Sequence, residues 1–312
     1  MAPLTLDLID FLLSPRGAAA LDALADADLT DTLAVVTRLR KAFSREEAAA
    51  LLGQAELRRK GLRKLPQAGR LLFVDEALEQ ASSQAVARYR AARFVAAGVR
   101  TVADLGCGIG ADTMAMAEAG MDVLAVEFDA VRARLTEANV AALGLSDRVR
   151  VVCADWTALP LAGDGGTVDR VDAAFIDPAR RVSDTRGGRK RVRSLAEMVP
   201  PLAVILAFRR RVPDLLVKVA PGIPLDEVPR EAEISFVAEG IRLKEAQLAF
   251  GSLRNGERRR AVVLPGPHIL TRDRTLGPQG RSRAMAGIAA TDPAPPRLAS
   301  PGRVLYEPNP AV

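Results

Sequence analysis

Apolar positions along the chain follow two rhythms. Over residues 1 to about 64 they recur at helical spacing. Leu21, Leu24 and Ala25 follow Ser14-Pro15, a hydroxyl cap with proline at the first helical position. The spacing predicts a second helix over about 31–42. Ser44 and Glu47 form a capping box that opens a third, which ends in the basic run Arg58, Arg59, Lys60, Arg63 and Lys64. Pro66 and Gly69 then break the chain. The expectation is a helical N-terminal domain over residues 1–70.

From residue 71 short β-rich runs alternate with helices. A helix is predicted over 85–95, then a strand over 101–105 that stops at Gly106-Cys107-Gly108-Ile109-Gly110. A helix over 112–119 leads to a strand over 123–126, ending at Glu127. A helix over 131–143, stopped by Gly144, leads to a strand over 149–153, ending at Asp155. Two more strands follow, 171–176 ending at Asp177-Pro178, and 215–219 ending at Pro221-Gly222. Such alternation predicts an α/β fold whose mostly parallel sheet is covered on both faces. Segments 234–238 and 243–250, joined by Glu239-Gly240, read as an antiparallel C-terminal hairpin, and 261–264 as a further strand. This main domain is expected over residues 71–265. Residues 266–312, rich in Pro, Gly, Ser and Arg, read as a linker leading into a further domain.

Composition narrows the chemistry. At 49% hydrophobic and 26% charged residues in a chain of 312, wholesale disorder is excluded. No apolar run nears the ~20 residues of a membrane span. Asp7 and Asp10 inside the first apolar stretch argue against a secretory signal, so a cytoplasmic location is expected. Cys107 and Cys153 are the only cysteines and His268 the only histidine. A disulfide framework, an all-cysteine cluster and a multi-histidine metal site are therefore excluded, and no metal is expected. Formal net charge is +6, and only six of the 44 basic residues are lysine. An arginine-rich surplus suits phosphate contacts, although high-GC coding would produce it too.

Ligands of open α/β sheets bind beyond the carboxyl ends of the strands. Four successive predicted strands end in the glycine cluster, Glu127, Asp155 and Asp177-Pro178. Any one acidic residue there is more often a helix cap; four in order at βα spacing are hard to obtain by chance. The glycine cluster reads G-x-G-x-G, and the glycines alone do not exclude a dehydrogenase. Asp104 discriminates, because a carboxylate before the loop suits an ammonium and repels a pyrophosphate.

The segment Asp104-Leu105-Gly106-Cys107-Gly108-Ile109-Gly110 resembles the first motif of the class I S-adenosylmethionine-dependent methyltransferases. That resemblance, over about residues 81–250, implies a Rossmann-like sheet and S-adenosylmethionine as cofactor. It implies that Gly106, Cys107, Gly108, Gly110 and Asp112 line the cofactor's amino-acid end, with Asp104 near the ammonium. Glu127 would hold the ribose hydroxyls, Asp155 the adenine amino group, and Phe128 or Trp156 the adenine ring. Within the superfamily, Ala85-Val86-Ala87, Gly110-Ala111-Asp112-Thr113 and Ala119-Gly120-Met121-Asp122-Val123 are similar to the trimethylguanosine synthase-like branch. Tyr306-Glu307-Pro308-Asn309-Pro310-Ala311-Val312 resembles the lead-in to a THUMP-like domain, and that resemblance implies that the domain itself would be missing here.

Base-amino methyltransferases commonly carry Asp/Asn/Ser-Pro-Pro-aromatic after the fourth strand. Here Asp177-Pro178 is followed by Ala179-Arg180-Arg181, without the second proline or the aromatic. Asp177 and Pro178 are the candidate catalytic pair. The next segment is the most basic in the chain, and Arg180, Arg181, Arg189, Lys190 and Arg191 are expected to bind substrate as a flexible flap. Lys218 is expected either to pair with Asp177 or to reach the sheet edge. The sequence thus points to methylation of RNA at a base nitrogen. The alternatives are a small-molecule or protein methyltransferase with an acidic substrate, or a catalytically silent RNA-binding relative.

Overall fold

The computed structural model describes residues 3–159, 171–178, 181–183, 189–191, 194–266, 268–272 and 282–284. They divide into two compact units, one up to Asp172 and one from Ala173.

The first unit opens with four helices, α1 (Leu6–Leu13), α2 (Pro15–Leu24), α3 (Thr32–Leu39) and α4 (Arg45–Gly61). Each begins on a side-chain cap. Thr5, Ser14, Asp31 and Ser44 accept from backbone N–H groups that have no helical partner, and Ser44 with Glu47 closes the predicted capping box. Two further helices, α5 (Asp75–Gln80) and α6 (Gln84–Ala96), lead into β1 (Thr101–Leu105). Then α7 (Ala111–Glu118), β2 (Asp122–Glu127), α8 (Ala130–Ala142) and β3 (Val149–Cys153) follow. The strands β1, β2 and β3 are parallel neighbours in that order.

The helical segment does not keep a core of its own. Leu12, Leu24, Leu51 and Phe73 belong to one apolar cluster with Ile109, Met114, Leu135 and Val140 from the glycine loop, α7 and α8. Two buried amides fasten that seam. Gln54 takes both the N–H and the carbonyl of Phe73, and Asn139 bonds the N–H and carbonyl of Leu72 and the carbonyl of Ile109. Asn139 therefore ties the chain after α4 to the glycine loop, satisfying backbone groups that would otherwise be buried unpaired.

The second unit contains β4 (Ala173–Ile176), β5 (Arg181–Ser183), β6 (Arg189–Arg191), α9 (Leu202–Phe208), β7 (Asp214–Val219), β8 (Glu233–Glu239), β9 (Arg242–Ala249), β10 (Arg259–Leu264), β11 (His268–Arg272) and β12 (Ser282–Ala284). The β4–β7 pair is parallel, and β9 lies antiparallel between β7 and β8 as the predicted hairpin arm. The strand β10 joins β8 in parallel, and β11 and β12 extend that edge antiparallel.

Two segments carry more strand than their composition predicts. The Pro/Gly/Ser/Arg-rich stretch after residue 265 contains β11 and β12, because ladder pairing to β10 supplies order that composition does not predict. The basic flap is in part a two-stranded antiparallel ribbon, β5 with β6. The THUMP-like lead-in at 306–312 and Arg180 lie outside the described residues.

Candidate functional site

At the carboxyl end of β1 the chain turns on glycine. Gly106 and Cys107 both donate backbone N–H groups to the carbonyl of Val126, at 2.9 and 3.1 Å, which locks the loop against β2. Gly106, Gly108 and Gly110 have φ of 87°, 62° and 83°, a region that other residues enter only at a cost. At Gly110 a side chain would also meet the Thr136 methyl at 2.9 Å, whereas at Gly108 a Cβ would meet nothing within 4 Å. Gly108 thus presents bare backbone to open space.

Glu127, at the end of β2, braces this backbone. Its Oε2 accepts from the Gly108 N–H at 2.8 Å and its Oε1 from the Asp129 N–H at 3.0 Å, and the residue is only 8% exposed. Each carboxylate oxygen retains capacity to accept a further bond. Asp104 is fully enclosed and accepts from the Thr113 hydroxyl at 2.5 Å. Cys107 lies between these acids. Burial first, then the charges of Asp104 and Glu127, push its thiol well above the usual range, so it stays protonated.

The third strand ends as expected in a capped turn. Asp155 is exposed and takes the Thr157 N–H and hydroxyl, at 2.9 and 2.7 Å, on one oxygen, while Trp156 is buried. Phe128, just past Glu127, is 78% exposed and offers a free aromatic face. Asp112, the first-turn acid of α7, is engaged within the protein. Its carboxylate forms an ion pair with the fully buried Arg90 and accepts from Ser82 at 2.9 Å, so it anchors α7 to α6. Nothing in the periodicity around Arg90 marks that role, and Thr113, Thr136 and Asn139 carry no sequence signal either.

The basic run at the end of α4 is engaged within its own unit. Arg58 donates to the Leu71 carbonyl, Arg59 to carbonyls at the end of α2, Lys60 pairs with Asp75 and Glu79, and Lys64 binds the carbonyls of Leu78, Glu79 and Ala81. That run closes the ends of neighbouring helices. In the second unit, Asp177 Oδ2 lies 2.5 Å from the ammonium of the buried Lys218, and Pro178 is buried. Of the two expectations for Lys218, pairing with Asp177 is the one observed.

A family model described as a methyltransferase domain matches residues 102–181, spanning the glycine loop, Glu127, Asp155 and Asp177. Over those residues the chain is similar to a methyltransferase domain. A second family, described only as a domain of unknown function, matches residues 5–61, the span of α1 to α4. Over 197 residues the chain is 37% identical to an uncharacterized S-adenosylmethionine-dependent methyltransferase of Mycobacterium tuberculosis, covering 62% of this chain and 50% of that one. The chain spans about half the length of the curated relatives it matches. It is also 34% identical over 103 residues to a 23S rRNA (uracil(1939)-C(5))-methyltransferase of Acidithiobacillus ferrooxidans, covering 33% of this chain and 23% of that one. Among solved structures, a protein of Porphyromonas gingivalis W83 assigned as a methyltransferase superposes with a TM-score of 0.58 at 20% identity, covering 85% of this chain and 64% of that one. This last likeness shows the methyltransferase fold.

The residues at these strand ends suit S-adenosylmethionine: bare backbone at Gly108, an enclosed Glu127 carboxylate with acceptor capacity left, and exposed Phe128 and Asp155 side chains. Among the described residues no group of three or more His, Cys, Asp or Glu side chains is placed to hold a metal. None of the described helices is long and apolar enough to cross a membrane.

Proposed function

We propose that this protein is an S-adenosylmethionine-dependent methyltransferase acting on RNA at a base nitrogen, in the cytoplasm. The observation that carries the methyltransferase reading is the Glu127 carboxylate, buried at the end of β2 and bonded to the backbone of a left-handed glycine loop. In a dehydrogenase the enclosed Asp104 would repel a pyrophosphate held on the same loop.

The cofactor supplies an already activated sulfonium methyl group. What this chain adds is position and exclusion of water. Gly106, Cys107, Gly108 and Gly110 hold the donor through their backbone, Asp104 supplies a fixed negative field, and Trp156 or Phe128 packs on the adenine. Asp177 accepts a hydrogen bond from the substrate N–H and aims the nitrogen lone pair, with the Pro178 carbonyl beside it. No cysteine follows Asp177-Pro178, and Cys107 is a buried, protonated thiol, which disfavours carbon-5 chemistry through a cysteine nucleophile. The reading therefore departs from the atom named for the Acidithiobacillus relative while keeping its class of substrate.

Support for RNA comes from charge. The ribbon register sets Arg181 opposite Arg191 and Val182 opposite Lys190. The ribbon thus brings the basic residues of its two short strands into register, a concentration of charge that suits a phosphate backbone. Arg180, Arg181, Arg189, Lys190 and Arg191 are the proposed phosphate contacts. The likeness to the trimethylguanosine synthase-like branch, and to members with a THUMP-like domain, agrees with an RNA substrate. The test is transfer of labelled methyl to fractionated cellular RNA, followed by nucleoside analysis. Label in an N-methylated nucleoside supports the reading. Label only in protein or small molecules, or in a C-methylated pyrimidine, overturns it.

A further inference from the structure

The sheet of the second unit carries a buried polar row that the proposed reaction does not use directly. Arg260 on β10 stands opposite Ser235 on β8, Ser235 opposite Gln247 on β9, and Gln247 opposite Lys218 on β7. The parallel register of Val217 with Ile176 sets Lys218 level with Asp177. Residues directly opposite share a face, so these four side chains cross one face of the sheet in a line that ends at Asp177. All four are buried, as are Glu233 and Glu245, two positions along β8 and β9 on the same face. Glu233 binds Arg260 at 3.2 Å, and Gln247 donates to Glu245 at 2.9 Å.

Such a row is a costly way to fill a sheet. Apolar residues would satisfy the core equally well, and buried ion pairs are weak contributors to stability. Its neighbours Val217, Val219, Leu216 and Leu248 show what packing alone selects here. The geometry at the end of the line supplies the reason. Lys218 is 3% exposed and holds Asp177 by Oδ2 alone. Among the described residues Oδ1 has no hydrogen-bond partner, and the Asp177 side chain is 24% exposed. One edge of the carboxylate is fixed to the sheet and the other is left open.

We propose that Lys218 is a positioning residue. Seated on the buried row, it holds Asp177 in the one orientation that turns Oδ1 toward a substrate amine. The inference rests on the role proposed for Asp177, and the experiment separates the two.

Two readouts are taken on Lys218→Met, Lys218→Arg, Asp177→Asn and the double variant Asp177→Asn/Lys218→Met. The first is a crystal structure of each Lys218 variant, which needs no substrate. The second is steady-state transfer of labelled methyl to total bacterial RNA, with cofactor affinity measured by calorimetry on the same preparations. The expected result is that Asp177 leaves its present orientation in Lys218→Met. Turnover falls about 10- to 100-fold with unchanged cofactor affinity, Lys218→Arg restores most of it, and the double variant is no slower than Asp177→Asn. If Lys218→Met does not fold, Lys218→Gln replaces it with the same expectations. An unmoved Asp177, or parental turnover with only a lower melting temperature, overturns the proposal. Parental turnover in Asp177→Asn removes Asp177 from the reaction, and with it the purpose assigned to Lys218. A parent enzyme silent on RNA contradicts the substrate reading, while the crystal structures still decide whether Lys218 orients Asp177.

Discussion

At the end of β2 the Glu127 carboxylate is met by backbone N–H groups, and across β7, β9, β8 and β10 buried polar side chains meet one another. Glu127 accepts from the N–H groups of Gly108 and Asp129, and Asp155 from the N–H of Thr157. Across the second unit's sheet, Lys218 meets Asp177, Gln247 meets Glu245, and Arg260 meets Glu233. The first arrangement is a generic holder. A glycine loop and an acid at a strand end will receive any ligand with an ammonium and a ribose. The second depends on long-range pairing, since Lys218 meets Asp177 and Arg260 meets Glu233 only if β4 with β7, and β8 with β10, pair in one register. On the proposed reading, binding the donor and orienting the acceptor would be built from different materials.

If the buried pairs are as interdependent as this implies, removing one partner should have the largest effect of all. Asp112→Ala leaves the Arg90 guanidinium enclosed without its carboxylate, and stability should fall by about 3–5 kcal/mol. Chemical denaturation read by circular dichroism measures it, and a loss under about 1 kcal/mol would mean that Ser82 and solvent suffice. Asp177→Asn comes next. Turnover should slow by about 10- to 1000-fold with cofactor affinity unchanged, because the amide keeps an acceptor but loses the charge at the reacting centre. Single-turnover rates and melting curves on one preparation check this, and a stable variant with parental rate would leave the second region without a catalytic part.

Smaller effects probe the backbone-built region. Gly110→Ala puts a side chain at φ 83° against Thr136, and about 1–3 kcal/mol of stability should be lost, visible as a lower denaturation midpoint. Ser44→Ala removes one half of the α4 capping box and should cost about 0.5–2 kcal/mol, while leaving cofactor binding intact. A Ser44 variant that loses cofactor affinity would show that the helical segment reaches the site through more than its shared core.

Legibility in the sequence follows the same division. The caps at Ser14 and Ser44 and the positive-φ glycines act within one to three residues of themselves, and the acids stand directly at strand ends, so local pattern exposes their positions. The strand limits of β1 and β3 agree with the pattern to the residue. The Arg90–Asp112 pair spans 22 residues and Lys218–Asp177 spans 41, and no periodicity links such partners. Lys218 stands out alone as a lysine inside an apolar strand, but Gln247, Ser235 and Arg260 gain meaning only from the antiparallel insertion of β9 between β7 and β8. The short α5 and α9 are missed because six or seven residues give too few turns for a helical period to emerge. The strands after residue 265 are masked by proline and glycine, which speak for a linker until a neighbouring edge recruits them.

The central claim is that S-adenosylmethionine sits on the strand ends of the first unit, read by Glu127. Isothermal titration calorimetry of S-adenosylmethionine against the parent and Glu127→Ala tests it most directly, with melting curves to confirm that the loop remains folded. The account predicts one cofactor per chain and a loss of about 1–3 kcal/mol in the variant, roughly a 5- to 150-fold weaker Kd. Equal affinity in the two proteins, or tight binding of a nicotinamide dinucleotide in place of S-adenosylmethionine, would contradict it.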